Sequence, residues 1–424
     1  MRVLIIGGGL GGLCLANGLC KSDIEILVFE KQLSPEEGLS GYGIHINGPG
    51  RIALQSCLPR AQWEHFQKLS TTAGTKMFFR DESLGLLAER DDALLNGKAS
   101  DKIERRGIGR IELRDILLDG LSASDKNIIQ WDREFARYEH QDDCSIRVHF
   151  TGGSFVDGDL LVGADGCRSK VREQRLPSVN RVDLGINAIA GRYMPGHDEL
   201  PRLPKAFTDG SLNNIVPAGK GWMFVSSWEA QQDQSARNND QKRQKSVVWA
   251  YVVPKSGTND SLRQLSAGQL LASAKDGTQK WSPKVAHIIE NTEPETVTRI
   301  DLRSAPHLGH WKADNVTLIG DSIHSMTPMA DVGANTALRD AELLTKVLSK
   351  CVQRDQSMED AISFYEHRMR EYANAAVALS RRNAESASST GLLQRHALRT
   401  VLRAAQASEF IMRRTIGKAA VEGA

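Results

Sequence analysis

Three glycines near the start of the sequence have the spacing of a phosphate-binding turn. Gly7, Gly9 and Gly12 fit the pattern G-x-G-x-x-G directly after the apolar residues 3–6. The first glycine would permit a tight turn, the second would let a pyrophosphate approach the backbone, and the third would let the next helix pack closely. Glu30 ends the following apolar stretch, where a carboxylate can accept hydrogen bonds from ribose hydroxyls. These residues predict a dinucleotide site.

A glycine–aspartate pair and a loop of small residues lie further along the chain. Asp321 follows an apolar stretch, and a side chain at the carboxyl end of a buried strand meets ligand hydroxyls in the crevice of an α/β sheet. Gly333 and Ala334 precede a helical pattern, so their amides would be unpaired and lie at the positive end of the helix dipole. Both features predict ligand contacts, the second with negative charge.

The cysteines do not suggest metal chemistry. None of the six forms a C-x-x-C pair, and none has a histidine at metal-ligand spacing. We therefore expect no metal site and no structural disulfide, as is usual in a reducing compartment. The chain begins with a strand and a glycine turn instead of a signal peptide, and it has no apolar run of about 20 residues that could span a bilayer. We expect a soluble, cytoplasmic protein.

The charge balance argues against one class of partner. With a formal net charge of +2, the sequence lacks the dominant basic face of a nucleic-acid-binding protein. One region is locally basic, because residues 381–424 contain eight Arg or Lys and three Glu. We interpret this tail as a helix that bridges two lobes, with contact to a membrane surface as the alternative.

The elements that would position the candidate residues alternate between strand and helix. Residues 3–6 and 24–29 are buried-strand patterns separated by the glycine turn and a helical pattern, and further buried strands are predicted at 160–162 and 316–319. This alternation is typical of a Rossmann-like, doubly wound α/β fold. Long helices are predicted for the C-terminal part, at 358 to about 387 and 392 to about 405.

Residues 179–282 have a different pattern. Trp222, Trp228 and other aromatic residues alternate with their neighbours there, which predicts a mostly antiparallel sheet. Short strand-like stretches within residues 71–103 are expected to join it. The predicted organisation is a discontinuous nucleotide-binding domain (1–70, 104–178 and 283–375), a substrate domain (71–103 and 179–282) and a C-terminal helical region (376–424).

Two longer motifs favour FAD as the dinucleotide. Residues 163–172, which contain Asp165 and Gly166, resemble the D-G motif of flavoprotein hydroxylases, and residues 318–328, which contain Asp321, resemble their G-D motif. With the glycine turn, all three motifs follow the order found in class A FAD-dependent monooxygenases, the single-component family similar to para-hydroxybenzoate hydroxylase. The resemblance covers the chain to about residue 370. It implies a Rossmann-like FAD domain, an antiparallel substrate domain and C-terminal helices.

The resemblance implies a role for each candidate residue. Asp165 and Gly166 would serve both FAD and a transiently docked NAD(P)H, and the chain has no second G-x-G-x-x-G for the nicotinamide cosubstrate. The other implied contacts to a non-covalently bound FAD are Gly7, Gly9, Gly12 and Glu30 for the ADP half, Gly43 beside the flavin, Arg110 at the start of a long helix, Asp321 for the ribityl chain, and the amides of Gly333 and Ala334 for the isoalloxazine carbonyl edge.

The reaction that the resemblance implies is the insertion of one oxygen atom. NAD(P)H would reduce FAD, O₂ would form a flavin C4a-hydroperoxide, and one oxygen would pass to a hydrophobic aromatic or polycyclic small molecule, such as a secondary metabolite. Alternatives are a flavin-dependent oxidase or dehydrogenase, and a halogenase, whose W-x-W-x-I-P signature is absent from the sequence. A non-catalytic FAD-binding protein is the alternative from another class. The sequence leaves open whether the protein is a monomer or a homodimer.

Two residues are candidates for contact with the substrate. His45 lies near Gly43 and the expected flavin edge, and Arg192 lies in the first strand predicted for the substrate sheet, where it could orient a phenolate. A structural role for His45 and a surface position for Arg192 are the alternatives. We interpret His324 as a structural residue of the G-D loop. The sequence departs from the family at Asp331, where an uncharged residue is usual.

Overall fold

The computed structural model describes residues 1–35, 43–72, 76–91, 105–122, 127–230, 244–255, 261–353, 356–389 and 391–416. Its strands are β1 (Arg2–Ile6), β2 (Glu25–Phe29), β3 (Gly43–Ile46), β4 (Thr71–Thr72), β5 (Lys76–Arg80), β6 (Leu86–Asp91), β7 (Arg106–Gly109), β8 (Ile129–Gln130), β9 (Phe135–His140), β10 (Ile146–Phe150), β11 (Phe155–Gly158), β12 (Leu160–Gly163), β13 (Val182–Tyr193), β14 (Leu212–Ile215), β15 (Trp222–Ala230), β16 (Gln244–Pro254), β17 (Thr298–Ser304) and β18 (Val316–Leu318). Its α-helices are α1 (Leu10–Leu19), α2 (Gly48–Cys57), α3 (Arg60–Leu69), α4 (Arg110–Ser122), α5 (Lys170–Arg175), α6 (Ala267–Gly277), α7 (Pro283–Glu290), α8 (Asp321–His324), α9 (Gly333–Val352), α10 (Met358–Ser388), α11 (Leu392–Ala407) and α12 (Glu409–Arg414).

A five-stranded sheet forms the centre of the nucleotide-binding half. Its strand order is β18-β12-β1-β2-β8, and all neighbouring pairs are parallel. One hydrophobic cluster joins this sheet to α1, α9 and the antiparallel strands β9–β11, with the rings of Phe29 and Phe150 4.6 Å apart. Strands that are buried in this way need continuous apolar sequences. The α/β fold expected from the sequence is therefore confirmed.

The strand order brings the three motifs together. Strands β18, β12 and β1 are parallel neighbours, so their carboxyl ends lie along one edge of the sheet. The three strands run directly into the segments that contain Gly7, Asp165 and Asp321. Residues separated by more than a hundred positions in the sequence thus meet in one crevice, as ligand sites of open α/β sheets do.

A seven-stranded sheet forms the second layer, in the order β17-β13-β16-β15-β14-β5-β6. Among its described strands only β14 and β5 pair in parallel, so the sheet is mostly antiparallel, as predicted. One face packs on α6 and α7 around Trp249, and the other packs on α10 around Trp222. The sheet and its helices extend to Ser304, past the predicted limit of residue 282. The division into domains stays a prediction.

A three-stranded sheet, β3-β7-β4, connects the two large sheets. Strands β3 and β7 pair in antiparallel fashion, with Gly43 opposite Gly109, and both contact β15 of the seven-stranded sheet. Strand β4 pairs with β7 here, although its residues Thr71 and Thr72 lie in the stretch predicted for the substrate domain. The small sheet therefore places β3 between the nucleotide crevice and the aromatic strands.

The C-terminal helices bridge both halves of the molecule. Near its start, α10 packs on the parallel sheet, where the Tyr365 hydroxyl donates to the carbonyl oxygen of Leu318 at 3.0 Å. Near its end, Ala384 and Ala387 belong to the cluster around Trp222 of the seven-stranded sheet. Most of α10 precedes the basic tail of residues 381–424, so the interpretation of the tail itself as a bridging helix stays a prediction.

Two arginines of the basic tail are used inside the protein. Arg395 is 2% exposed and donates to the carbonyl oxygens of Gly221 and Ser389. Arg399 forms ion pairs with Asp81 and Glu82 in the turn between β5 and β6. Within the described residues, no helix is both long and apolar enough to cross a bilayer. Contact of the tail with a membrane surface stays an untested alternative.

Candidate flavin-binding and substrate site

The glycine turn after β1 has two places where the backbone leaves no room for a side chain. Gly7 has a φ of +113°, and a Cβ atom there would lie 2.3 Å from the carbonyl oxygen of Ala164. A Cβ atom on Gly12 would lie 2.2 Å from the carbonyl oxygen of Gly7. By contrast, no described atom lies within 4 Å of a Cβ built on Gly9. The turn is packed tightly on the protein side and open at the position where a pyrophosphate would approach.

Glu30 is held at the end of β2 by the glycine turn itself. Its Oε2 accepts a hydrogen bond from the Gly8 amide at 2.7 Å, and its Oε1 accepts one from the Gln32 amide at 3.1 Å. The side chain is buried. A carboxylate fixed by two backbone amides is positioned to accept further hydrogen bonds from hydroxyl groups of a bound nucleotide.

Asp165 has one satisfied and one unsatisfied oxygen. Its Oδ2 accepts from the backbone amides of Lys170 and Val171, at 2.8 and 3.3 Å. Its Oδ1 is buried and has no hydrogen-bond partner among the described residues. Burial raises the pKa of this carboxyl group. Since buried polar atoms are normally paired, the free oxygen indicates a missing donor, such as a ligand hydroxyl.

Asp321 lies exposed at the first position of α8, at the carboxyl end of β18. The preceding residue, Gly320, has a φ of +62°, and its amide donates to Asp340 Oδ2 at 2.7 Å. His324 Nε2 lies 2.6 Å from the same oxygen, and the Tyr372 hydroxyl donates to the other oxygen of Asp340 at 2.6 Å. The buried carboxylate of Asp340 therefore fixes the loop that presents Asp321.

Helix α9 begins at Gly333 and leaves its first amides free of helical partners. The Thr336 amide, which bonds to the Val332 carbonyl oxygen at 2.9 Å, makes the first hydrogen bond of the helical type. The amides of Gly333 and Ala334 have no acceptor within the helix and lie at its positive end. They can bind a ligand atom that carries negative charge.

The small sheet brings Gly43, Arg110 and an aromatic side chain together. A Cβ atom on Gly43 would lie 2.4 Å from Cγ of Trp228, so the absence of a side chain lets the indole pack on β3. Arg110 directly follows Gly109, the strand partner of Gly43, and is exposed at the start of α4. The two residues that sequence reasoning placed near the flavin are thus neighbours across β3 and β7.

His45 contacts the residue at which the sequence departs from the family. His45 Nδ1 lies 2.8 Å from Asp331 Oδ2, across 286 positions of the sequence. Sequence reasoning named both residues but did not predict their contact. The pair joins β3 to the loop that precedes α9.

Arg192 lies on the same sheet face as Trp228. Arg192 of β13 is opposite Val248 of β16, and Val248 is opposite Ser226 of β15. Trp228 lies two residues after Ser226, so its side chain is on the same face of the sheet. Arg192 is half-buried, and its Nε is buried without a hydrogen-bond partner among the described residues. A guanidinium with a free buried donor is suited to an anionic or carbonyl group of a ligand.

Comparison with known proteins agrees with this geometry. Residues 272–380 match the FAD binding domain, and residues 5–47 match an NAD(P)-binding Rossmann-like domain. A solved structure assigned as an FAD-containing monooxygenase, from Photorhabdus luminescens subsp. laumondii TTO1, is 40% identical and has a TM-score of 0.82, covering 91% of this chain and 98% of that one. The chain belongs to the FAD-dependent monooxygenase family. The resemblance seen in the sequence motifs is confirmed.

Other similar proteins have lower sequence identity to this chain. The dual O-methyltransferase/FAD-dependent monooxygenase CTB3 of Cercospora beticola is 28% identical over 372 residues. The match covers 82% of this chain and 42% of that protein, so the chain spans less than half the length of this relative. Klebsiella pneumoniae HpxO, solved with FAD and uric acid, is 20% identical with a TM-score of 0.79, covering 100% of this chain and 97% of that one. At that identity the likeness supports the fold alone.

The residues of this member of the family fit the cofactor FAD. The open side of Gly9, the unpaired oxygen of Asp165 and the exposed carboxylate of Asp321 lie along one edge of the parallel sheet. The free amides at the start of α9 add a site for negative charge. These groups match the phosphate, hydroxyl and ring-carbonyl chemistry of FAD.

Two residues that shape the site were missed by sequence reasoning. Asp340 lies among the apolar residues Leu338, Ala341 and Leu344 of α9, and a lone aspartate on an apolar helix face was a signal that could have been used. Trp228 was noted only as part of an aromatic pattern. No local signal connects it to Gly43, because the contact depends on how two sheets pack.

Proposed function

We propose that this family member consumes NAD(P)H and inserts one oxygen atom of O₂ into a hydrophobic aromatic or polycyclic small molecule. The observation that carries the proposal is the contact between Trp228 and Gly43, which brings the aromatic sheet against the strand beside the expected flavin position. FAD, when bound, supplies the electron-transfer and oxygen chemistry. The polypeptide binds and orients the substrate and excludes water.

The cofactor is assigned to residues of the sheet edge. Gly7, Gly9, Gly12 and Glu30 hold the ADP half, and Asp321 binds the ribityl chain. Asp165 and Gly166 contact FAD and the docking nicotinamide, for which the unpaired Oδ1 of Asp165 is the supporting observation. The amides of Gly333 and Ala334 bind the carbonyl edge of the isoalloxazine, while Gly43 and Arg110 flank it.

The substrate is assigned to the region where the aromatic sheet face meets β3. Trp228 is 8% exposed and packs on Gly43, so it shields this region from water on the sheet side. Arg192 binds an anionic or carbonyl oxygen of the substrate through its unpaired guanidinium Nε. His45 contacts the substrate from the flavin side. A hydrophobic ring that carries one polar oxygen matches this combination of groups.

The test is substrate-stimulated oxidation of NADH and NADPH by the FAD-loaded protein. Phenols, indoles and polyketides would be supplied with isotopically heavy O₂, and products would be examined by mass spectrometry. We expect stimulated oxidation and one heavy oxygen atom per product molecule. Hydrogen peroxide in amounts equal to the NAD(P)H consumed, with no labelled product, would establish the oxidase alternative. A protein that binds FAD but oxidises no NAD(P)H would favour the non-catalytic alternative, and a protein that binds no FAD would contradict the proposal and every flavin-dependent alternative.

A further inference from the structure

Asp331 has a backbone conformation that side chains rarely adopt. It follows the 3₁₀ turn Pro328–Ala330 with a φ of 56° and a ψ of 30°, which is the left-handed region. Glycine takes this conformation without cost, whereas other residues lose stability in it, aspartate and asparagine less than most. A strained residue beside a ligand site indicates a function for its side chain.

The side chain of Asp331 is committed to one partner. Its Oδ2 lies 2.8 Å from His45 Nδ1, and the side chains are only 29% and 11% exposed. Asn335 locks the two segments together, because its Nδ2 donates to the carbonyl oxygens of His45 and Asp331 at 2.9 and 3.3 Å. Its Oδ1 also accepts from the Asn47 amide at 2.9 Å. The histidine and the carboxylate are therefore held at a fixed distance.

The carboxylate fixes which nitrogen of His45 is the acceptor. When the ring proton is on Nδ1, this N–H donates a hydrogen bond to the Asp331 carboxylate. The lone pair that can accept a proton is then on Nε2. Within the described part of the chain, Nε2 has no hydrogen-bond partner among the contacts of His45. Asp331 is the charged residue that contacts the His45 ring. On the neighbouring strand β7, the residue opposite His45 is Gly107, which carries no charge.

The position of His45 matches that of a substrate contact. His45 lies two residues after Gly43, so both side-chain positions are on one face of β3, the face that Trp228 covers. The loop that carries Asp331 leads into α9 and the free amides of Gly333. The pair thus lies between the aromatic sheet and the expected flavin edge.

We propose that His45 and Asp331 form a proton-accepting pair for the hydroxyl group of an aromatic substrate. The O–H bond of the substrate breaks, its electron pair stays on the oxygen, and the proton forms an N–H bond at His45 Nε2. Asp331 is a positioning residue that stabilises the resulting imidazolium. The substrate becomes a more electron-rich phenolate. This inference rests on the proposed function and narrows the substrate class to aromatic compounds with an ionisable hydroxyl.

The experiment uses 4-nitrophenol as the probe with the oxidised, FAD-loaded protein, without NAD(P)H. Difference absorbance against pH measures the ionisation midpoint of the bound phenol. We expect the bound phenol to ionise at lower pH than the free compound. Asp331→Asn and His45→Gln should each raise the bound midpoint by about one pH unit or more. Asp331→Gly is a second variant that accommodates the left-handed backbone and removes only the carboxylate.

A matched control is available at another left-handed aspartate. Asp132 has a φ of 55° and is exposed, so Asp132→Asn makes the same chemical change away from the site and should leave the midpoint unchanged. Equal midpoints in wild type, Asp331→Asn and Asp331→Gly would overturn the proposal, as would a failure of wild type to bind the phenol. The measurement requires neither NAD(P)H nor oxygen insertion. It therefore still reports on the proton-accepting pair if the proposed monooxygenase reaction is not observed.

Discussion

His324 Nε2 lies 2.6 Å from Asp340 Oδ2, and both side chains are fully buried. Burial opposes a charged imidazole, but the attraction of the Asp340 carboxylate and its hydrogen bond outweigh this and raise the pKa of His324. The same carboxylate accepts from the Gly320 amide and the Tyr372 hydroxyl. One buried residue of α9 therefore determines the geometry of the loop in front of Asp321.

Replacing Asp340 should damage both stability and FAD binding. In Asp340→Asn, the imidazole of His324 loses its charged partner in a fully buried position. Breaking a buried pair in this way costs about 3–5 kcal/mol of unfolding free energy. We expect the urea unfolding midpoint to fall strongly. We also expect the FAD dissociation constant, measured by flavin fluorescence, to increase.

Tyr372→Phe is the matched control for that change. It removes one hydrogen bond to the Asp340 carboxylate and leaves the His324 and Gly320 contacts intact, so the expected loss is about 1.5–3 kcal/mol, smaller than for Asp340→Asn. If Asp340→Asn were no less stable than Tyr372→Phe, the assignment of Asp340 as the organiser of this loop would be wrong.

Gly7 and Gly9, the first two glycines of the G-x-G-x-x-G pattern, should respond differently to replacement by alanine. Gly7→Ala forces a Cβ to within 2.3 Å of a backbone oxygen at a positive φ, so the variant should fold poorly even without cofactor. Gly9→Ala meets no described atom within 4 Å, so the apoprotein should keep its melting temperature while its FAD affinity falls. Thermal unfolding of the apoproteins, followed by FAD titration, distinguishes the two. Equal apoprotein stability in both variants would contradict the packing at Gly7.

Glu366 should make stability depend on pH. Burial raises its pKa from the ordinary value of 4.5 to about 7, against the opposing effect of hydrogen bonds from Trp311 and Thr317. Between these values the unfolded chain releases this proton while the folded chain keeps it, so stability falls as pH rises through the window. In Glu366→Gln this slope should disappear, and the variant should gain of order 3 kcal/mol relative to wild type at pH 8.

The measurement is the urea unfolding midpoint between pH 4 and pH 8. Glu371→Gln is the control, because Glu371 lies on the same helix but is exposed and paired with Arg368. Its pH profile should follow that of wild type. An unchanged slope in Glu366→Gln would show that another group causes the pH dependence.

Buried and exposed arginines of the C-terminal tail should differ in their contribution to stability. Arg395→Ala leaves the carbonyl oxygens of Gly221, Ala387 and Ser389 without their donor, which costs about 1–3 kcal/mol. Arg403 is exposed on the same helix, so Arg403→Ala should change stability by less than about 0.5 kcal/mol. Limited proteolysis of α11 gives a direct readout, with faster cleavage expected only in Arg395→Ala. Equal cleavage would argue against anchoring by Arg395.

Local patterns in the sequence were sufficient for the elements and for the class of cofactor. The continuous apolar residues of β1 and β12 identified a buried parallel sheet, and the C-terminal helix predicted to start at residue 358 is observed as Met358–Ser388. These features are local. Burial of a strand on both faces requires a continuous apolar run, and a helix requires apolar residues at helical spacing, so each pattern is visible within a short stretch of sequence. The G-D and D-G motifs then pointed to FAD, in agreement with the matched FAD binding domain.

Only the tertiary structure decided which side chains meet. The contact of His45 with Asp331, the packing of Trp228 on Gly43 and the anchoring of His324 by Asp340 join residues from different elements. Such contacts depend on strand order, register and the packing of one sheet on another, which no short stretch of sequence encodes. The sequence by itself therefore determined the fold class and the class of cofactor, while the packing of the sheets determined which side chains meet at the candidate site.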